Sequence, residues 1–181
     1  MHVETLRLPD VKLVHMPVHG DRRGSFTELV HATRFAEHGL PAAFPQANHS
    51  HSRRGALRGL HYQLAVPQGK LVRPLTGSIF DVAVDVRQSS PTFGQWVGET
   101  LTAGDGRALW VPEGFAHGFL VLSETADVWY ACTACYDPTS EHAVAWNDPE
   151  IGIAWPLAGL ELSMSPRDAA AGRLADTPAF A

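Results

Sequence analysis

The 181-residue chain carries 14 Lys and Arg against 19 Asp and Glu, a net charge of -5, with 45% hydrophobic and 18% charged residues. Its length suits one domain of roughly 150 residues or more, spanning 1–181; the balance excludes wholesale disorder, and the acidic charge argues against broad nucleic-acid or anionic-membrane binding. No apolar run approaches the roughly 18 residues that cross a bilayer, acidic Glu4 stands where a signal peptide would be basic, and two cysteines are too few for a disulfide framework, so a soluble cytoplasmic protein is expected.

The 16 glycines and 13 prolines are spread along the chain, as in a turn-rich β protein. The sequence predicts strands at 12–18, 25–30, 57–63, 71–74, 79–86, 95–101, 108–111, 118–122 and 127–136, with turn residues such as His19-Gly20-Asp21 and Gly104-Asp105-Gly106 between them. Strand 79–86 is the cleanest: Phe80, Val82, Val84 and Val86 share one face and Asp81 and Asp85 the other, the pattern of a half-buried strand. Helical signals are short, at 31–38 before Gly39 and at 165–174, where Ser165 is placed to cap Pro166 at the first helical position. Many short strands with few helices predict an all-β double-sheet jelly roll.

Ten histidines raise the question of a metal. A mononuclear site on a small barrel wants two histidines one residue apart on a strand, a carboxylate and a third distant histidine. In Gly59-Leu60-His61-Tyr62-Gln63 the second ligand position is glutamine. His49 and His51 have the spacing but fall in the polar stretch Asn48 to Arg54, which reads as a solvated loop, so no metal site is expected. Cys132 and Cys135 match a redox dithiol spacing, yet on a strand positions i and i+3 face opposite ways, which favours a structural role.

Two segments carry more. In residues 57–63, Leu57, Gly59, His61 and Gln63 share a face by parity, and on this segment alone a hydrogen-bonded core histidine fits as well as a cavity histidine. His117 enters a second apolar strand after the turn at Pro112-Glu113-Gly114. Two histidines at equivalent strand positions favour a lined cavity.

The blocks Gly20-Asp21-Arg22-Arg23-Gly24-Ser25-Phe26-Thr27-Glu28, Gln46-Ala47-Asn48-His49-Ser50, Leu57 to Gln63, Gln68 to Arg73, Phe80 to Arg87, Ser90 to Trp96, Trp110 to Phe119 and Trp146-Asn147-Asp148-Pro149 run in order over nearly the whole chain. Together they resemble the dTDP-4-dehydrorhamnose 3,5-epimerase family. The resemblance implies a cupin-type jelly roll, usually a homodimer, without metal or organic cofactor, acting on a dTDP-4-keto-6-deoxyhexose. It assigns His61 as base, Asp168 as its carboxylate partner, Tyr130 as acid and Lys70 as the cation beside the C4 oxygen. By strand parity Tyr130 and its neighbour Trp129 face opposite ways, so one enters the cavity.

The resemblance further implies Arg23 and Arg58 as diphosphate ligands with Arg167 a weaker candidate, and Phe26, Glu28, Gln46, Asn48 and His117 as substrate-pocket residues. Arg58 and His61 have opposite strand parity; a bulge at Gly59, or an arginine serving a second subunit, would reconcile them. Ala131 stands where a basic residue is common in the family, and Cys135 where it often has an aromatic, so the grip on the base is open. Alternatives are a mono-epimerase acting at one carbon and a nucleotide-sugar-binding cupin without activity.

Overall fold

The computed structural model describes residues 1–181. In chain order the elements are β1 (His2–Thr5), β2 (Lys12–His15), β3 (His19–Asp21), β4 (Gly24–Phe26), α1 (Ala32–Glu37), β5 (Gln46–Arg53), β6 (Leu57–Gln63), β7 (Lys70–Thr76), β8 (Ser78–Asp85), β9 (Trp96–Thr102), β10 (Arg107–Val111), β11 (Phe115–Val121), β12 (Thr125–Cys132), β13 (Glu141–Ala143) and α2 (Pro166–Ala169). A six-stranded sheet, ordered β1-β2-β10-β7-β12-β5, faces a five-stranded sheet, ordered β13-β6-β11-β8-β9, and β3 and β4 form a separate hairpin. The jelly roll expected from the strand spacing is the architecture observed.

Apolar side chains sort into three layers. Leu13, Val72, Leu109 and Val128 from the larger sheet meet Ile79, Ala83, Leu101 and Phe115 from the smaller one between the sheets. Outside the smaller sheet, Leu57, Leu60, Tyr62, Val82 and Val84 are covered by the C-terminal residues Ile151, Trp155 and Leu174. Outside the larger sheet, Val14, Leu71 and Trp110 are covered by Phe35 of α1 and Leu40. Each Val, Leu, Ile or Phe among these taken fully from water contributes about 1.5–3 kcal/mol before chain entropy is counted.

This covering corrects the reading of strand 79–86. The C-terminal segment covers the Val82 and Val84 face, while Asp81 and Asp85 lie with Ile79 and Ala83 on the face turned toward the other sheet, so β8 is buried on both sides and both aspartates are fully inside at 0% exposure. Asp85 lies at the mouth of the turn 86–95, where it accepts from Arg87, Ser90 and Thr92.

Other boundaries also move. Residues 46–53 are strand β5, pairing with β12 from Gln46↔Cys132 to Arg53↔Thr125, so the polar stretch around His49 and His51 is an edge strand and not a loop. Both histidines are exposed and meet Asp127 Oδ1, at 2.8 and 3.0 Å. The strand predicted at 127–136 ends at Cys132, leaving Cys132 buried and Cys135 exposed beyond it. The helix predicted at 165–174 is a single turn capped by Ser165 with Pro166 first, as expected; it stops because Gly172 leaves to pair with Val144. No helix is long and apolar enough to cross a membrane.

Candidate active site

The site is organised by an irregularity in β6. Across the β6–β11 ladder His61 pairs with His117, but Arg58 pairs with Phe119. Three steps on β6 therefore oppose two on β11, a bulge that resets which way side chains face. Gly59 occupies it with φ +109°, and a Cβ there would stand 2.5 Å from the His117 carbonyl oxygen and 2.6 Å from Gly118 Cα. Glycine is thus required by both the dihedral and the backbone crossing behind it. The bulge puts Arg58 and His61 on the same cavity wall, while Leu57 joins Leu60 and Tyr62 in the outer layer. The parity grouping of Leu57 with His61 does not hold, because the phase changes between them.

The cavity measures about 350 Å³. On one wall His61 Nε2 stands 2.6 Å from Asp168 Oδ1, the carboxylate buried and the imidazole partly open. Asp168 arrives there because the Ser165 hydroxyl accepts from its backbone N–H at 3.1 Å and fixes the first turn of α2. Burial opposes ionisation of Asp168, but hydrogen bonds from His61, Ser165 and the Gly59 backbone prevail and hold its pKa below the ordinary value. An ionised Asp168 accepts the Nε2 proton, which leaves Nδ1 of a neutral His61 as the free base nitrogen.

Lys70 and Tyr130 line the same cavity. Lys70 Nζ lies 3.5 Å from the His61 carbonyl oxygen. Burial pulls its pKa down, opposed by the charges of Cys132, Glu141 and Asp81. Tyr130 faces inward while Trp129 packs in the outer layer, the split that strand parity requires. Burial raises the Tyr130 pKa, so the phenol keeps its proton.

A second histidine–carboxylate pair sits beside the first. His117 Nε2 is 2.7 Å from Asp81 Oδ1, and both side chains are buried. Asp81 falls on the polar face of the predicted half-buried strand, but that face, shared with Ile79 and Ala83, is turned inward between the sheets. Phe119, Tyr136, Glu141, Ser50 and Ser165 also line the cavity, and nothing in the sequence reading marks them as site residues. At the mouth the Tyr136 hydroxyl donates to Glu141 Oε2 at 2.8 Å, and Arg167 Nη1 donates to the same oxygen.

Among the cations, Arg58 lines this cavity and an adjoining hollow of about 450 Å³ that also shares Asp168. It is aimed by Nε donation to Ser52 Oγ at 3.0 Å. His117 and Arg167 also line the cavity, whereas Arg23, Phe26, Glu28, Gln46 and Asn48 are not brought into the lining. Arg23 is exposed on the β3–β4 turn and paired with Asp21 at 2.6 Å, Phe26 is 66% exposed, and Glu28 meets Arg34 at 2.5 Å. Gln46 and Asn48 form a polar ladder on β5: Gln46 Nε2 donates to Asn48 Oδ1 at 3.0 Å, and Asn48 Nδ2 contacts Cys132 Sγ at 3.8 Å.

The family model described as dTDP-4-dehydrorhamnose 3,5-epimerase matches residues 5–176. This chain belongs to that family. A Pseudomonas aeruginosa dTDP-4-dehydrorhamnose 3,5-epimerase is 50% identical over 181 residues, covering 99% of both chains. A Neisseria gonorrhoeae relative of the same name is 52% identical across 94% of this chain, which spans about half, 52%, of that longer protein. Among solved structures, the Legionella pneumophila dTDP-6-deoxy-D-glucose-3,5-epimerase in complex with dTDP-4-keto-L-rhamnose superposes with a TM-score of 0.94 at 46% identity, over 97% of this chain and 93% of that one.

Proposed function

We propose that this chain inverts C3 and C5 of dTDP-4-keto-6-deoxy-D-glucose to give dTDP-4-keto-L-rhamnose. The observation that carries the reading is the His61–Asp168 pair at 2.6 Å, set in one cavity with Lys70 and Tyr130 in a chain of this family. Protons on C3 and C5 are acidic because each carbon adjoins the C4 ketone. His61 removes one, and the electron pair moves onto the C4 oxygen as an enolate. The Lys70 ammonium offsets that charge, and Asp168 stabilises the imidazolium. Tyr130 then gives its proton to the opposite face of the carbon. His61 releases its proton to solvent and the phenolate regains one, so each inversion closes with no electron transferred and no cofactor in the scheme.

Arg58 suits the diphosphate, since a guanidinium offers paired donors to phosphate oxygens. Arg23 and Phe26 are exposed on a hairpin outside the cavity, which supports a homodimer in which that hairpin completes the partner's site. Two unpaired cysteines agree with a reducing cytoplasm.

The test is incubation with dTDP-4-keto-6-deoxy-D-glucose in heavy water, followed by NMR. Deuterium at both C3 and C5 with L-configured product is expected. Label at only one carbon identifies a mono-epimerase, and no label at either overturns the reading in favour of a binding protein.

A further inference from the structure

Cys132 ends β12 two residues beyond Tyr130 and therefore on the same, cavity-facing side of the strand. Across the sheet it lies directly between Lys70 and Gln46. The residue is fully buried, and its sulfur meets Asn48 Nδ2 at 3.8 Å. A thiol that the proposed epimerisation does not use thus stands in the same row as Lys70.

Beyond Cys132 the ladder stops and the chain bends at Thr133 and Ala134. The alternation that turns positions i and i+3 apart on a strand therefore no longer applies to Cys135, which is exposed. Burial pushes the Cys132 thiol up, the Lys70 ammonium and the Asn48 amide oppose this, and charge on Cys135 adds to the rise, which places the two sulfurs near each other. The segment is also tied to the pocket. Gln63 Nε2 donates to the Cys135 carbonyl at 3.4 Å, the Tyr136 N–H donates to Gln46 Oε1 at 2.7 Å, and the Tyr136 side chain lines the cavity.

We propose that Cys132 and Cys135 form a reversible disulfide that switches the site off. The exposed Cys135 thiolate attacks hydrogen peroxide and becomes a sulfenic acid as one water leaves. The Cys132 sulfur, its thiolate favoured by Lys70, then attacks the Cys135 sulfur; the S–S bond forms and a second water leaves. The two thiols give up two protons and two electrons, and the peroxide takes them up as water. Because the bond needs Cα atoms within about 4.4–6.8 Å, residues 133–136 are held against the end of β12, pulling on the links to Gln46 and Gln63. Tyr136 is thereby drawn from the cavity mouth, and the thiol from its place beside Lys70 and Asn48. The loss of turnover rests on the proposed epimerase reading; formation of the bond does not.

The experiment treats the reduced protein and Cys135→Ser with hydrogen peroxide and follows both by mass spectrometry, turnover and calorimetric dTDP affinity. The wild type is expected to lose the mass of two hydrogen atoms within residues 132–135. Turnover, dTDP affinity or both are expected to fall roughly tenfold or more, with dithiothreitol restoring them. Cys135→Ser is expected to match the reduced wild type before treatment and to keep its activity afterwards. Failure of the disulfide to form overturns the switch, as does a disulfide that leaves turnover and dTDP affinity unchanged. Equal inactivation of Cys135→Ser overturns it too. Absence of turnover in the reduced wild type instead overturns the epimerase reading, and the mass and dTDP affinity still decide the switch.

Discussion

His61 and His117 stand directly opposite each other on β6 and β11, and each presents Nε2 to its own aspartate. Their surroundings separate their roles. His61 is 27% exposed to the cavity, whereas the His117–Asp81 pair is shut in, with Asp81 Oδ2 already lacking a partner. Removing His117 strands a buried carboxylate, so His117→Ala is expected to cost about 3 kcal/mol of stability. His61→Ala is expected to cost about 1 kcal/mol but to lower kcat by roughly 10²–10⁴. Denaturant unfolding and steady-state rates on the two variants check both halves.

Tyr130→Phe separates proton removal from inversion. With the phenol gone, His61 still forms the enolate, and the proton that returns comes from the same side. In heavy water the variant is expected to exchange label into substrate while epimer formation falls roughly 10²-fold or more. Loss of both processes in parallel, read by NMR, would mean that Tyr130 is not the acid on the far face.

Lys70→Met removes the charge that faces the developing enolate. The rate is expected to fall about 10²–10³-fold with dTDP affinity retained. Because burial lowers the Lys70 pKa from 10.5, the alkaline limb of the wild-type pH–rate profile should begin below that value. Lys70→Arg should push the limb upward, since guanidinium stays charged.

Asp85 makes an acid-stability prediction. Burial raises its pKa, but hydrogen bonds from Arg87, Ser90 and Thr92 outweigh this and bring it down to about 2 from 3.8. A carboxylate with a depressed folded pKa adds stability above its unfolded pKa and loses it as pH falls through the folded one. Asp85 is thus expected to contribute about 2 kcal/mol near neutral pH, lost between about pH 4 and 2. Asp85→Asn should be less stable at pH 7 and flatter over that acid window, measured by unfolding at each pH.

Much of this was readable in advance where one interaction dominates. Ser165 before Pro166 marks α2 because capping is local, and the inward Tyr130 follows from strand parity. What failed depended on remote partners. Asp81 reads as solvent-facing because its carboxylate marks the polar face of β8, and only the packing of the larger sheet, built from strands remote in sequence, turns that face inward. His49 and His51 were assigned to a loop because a polar edge strand lacks the alternation that marks a half-buried one. The exposed positions of Arg23 and Phe26 were hidden for the same reason: motif matching names residues without saying which cavity they reach.

The bulge at Gly59 makes an odd number of residues behave as an even one. Arg58 and His61, three apart, serve one wall only because an extra residue has been spliced between them. Deleting Gly59 would leave the composition of the site untouched and keep every side chain proposed to contact substrate. Yet it would turn either the anion-binding arm or the proton-abstracting base out of the chamber. The partnership between holding the substrate and reacting with it is written in a residue count, and an alignment gap of one would erase it.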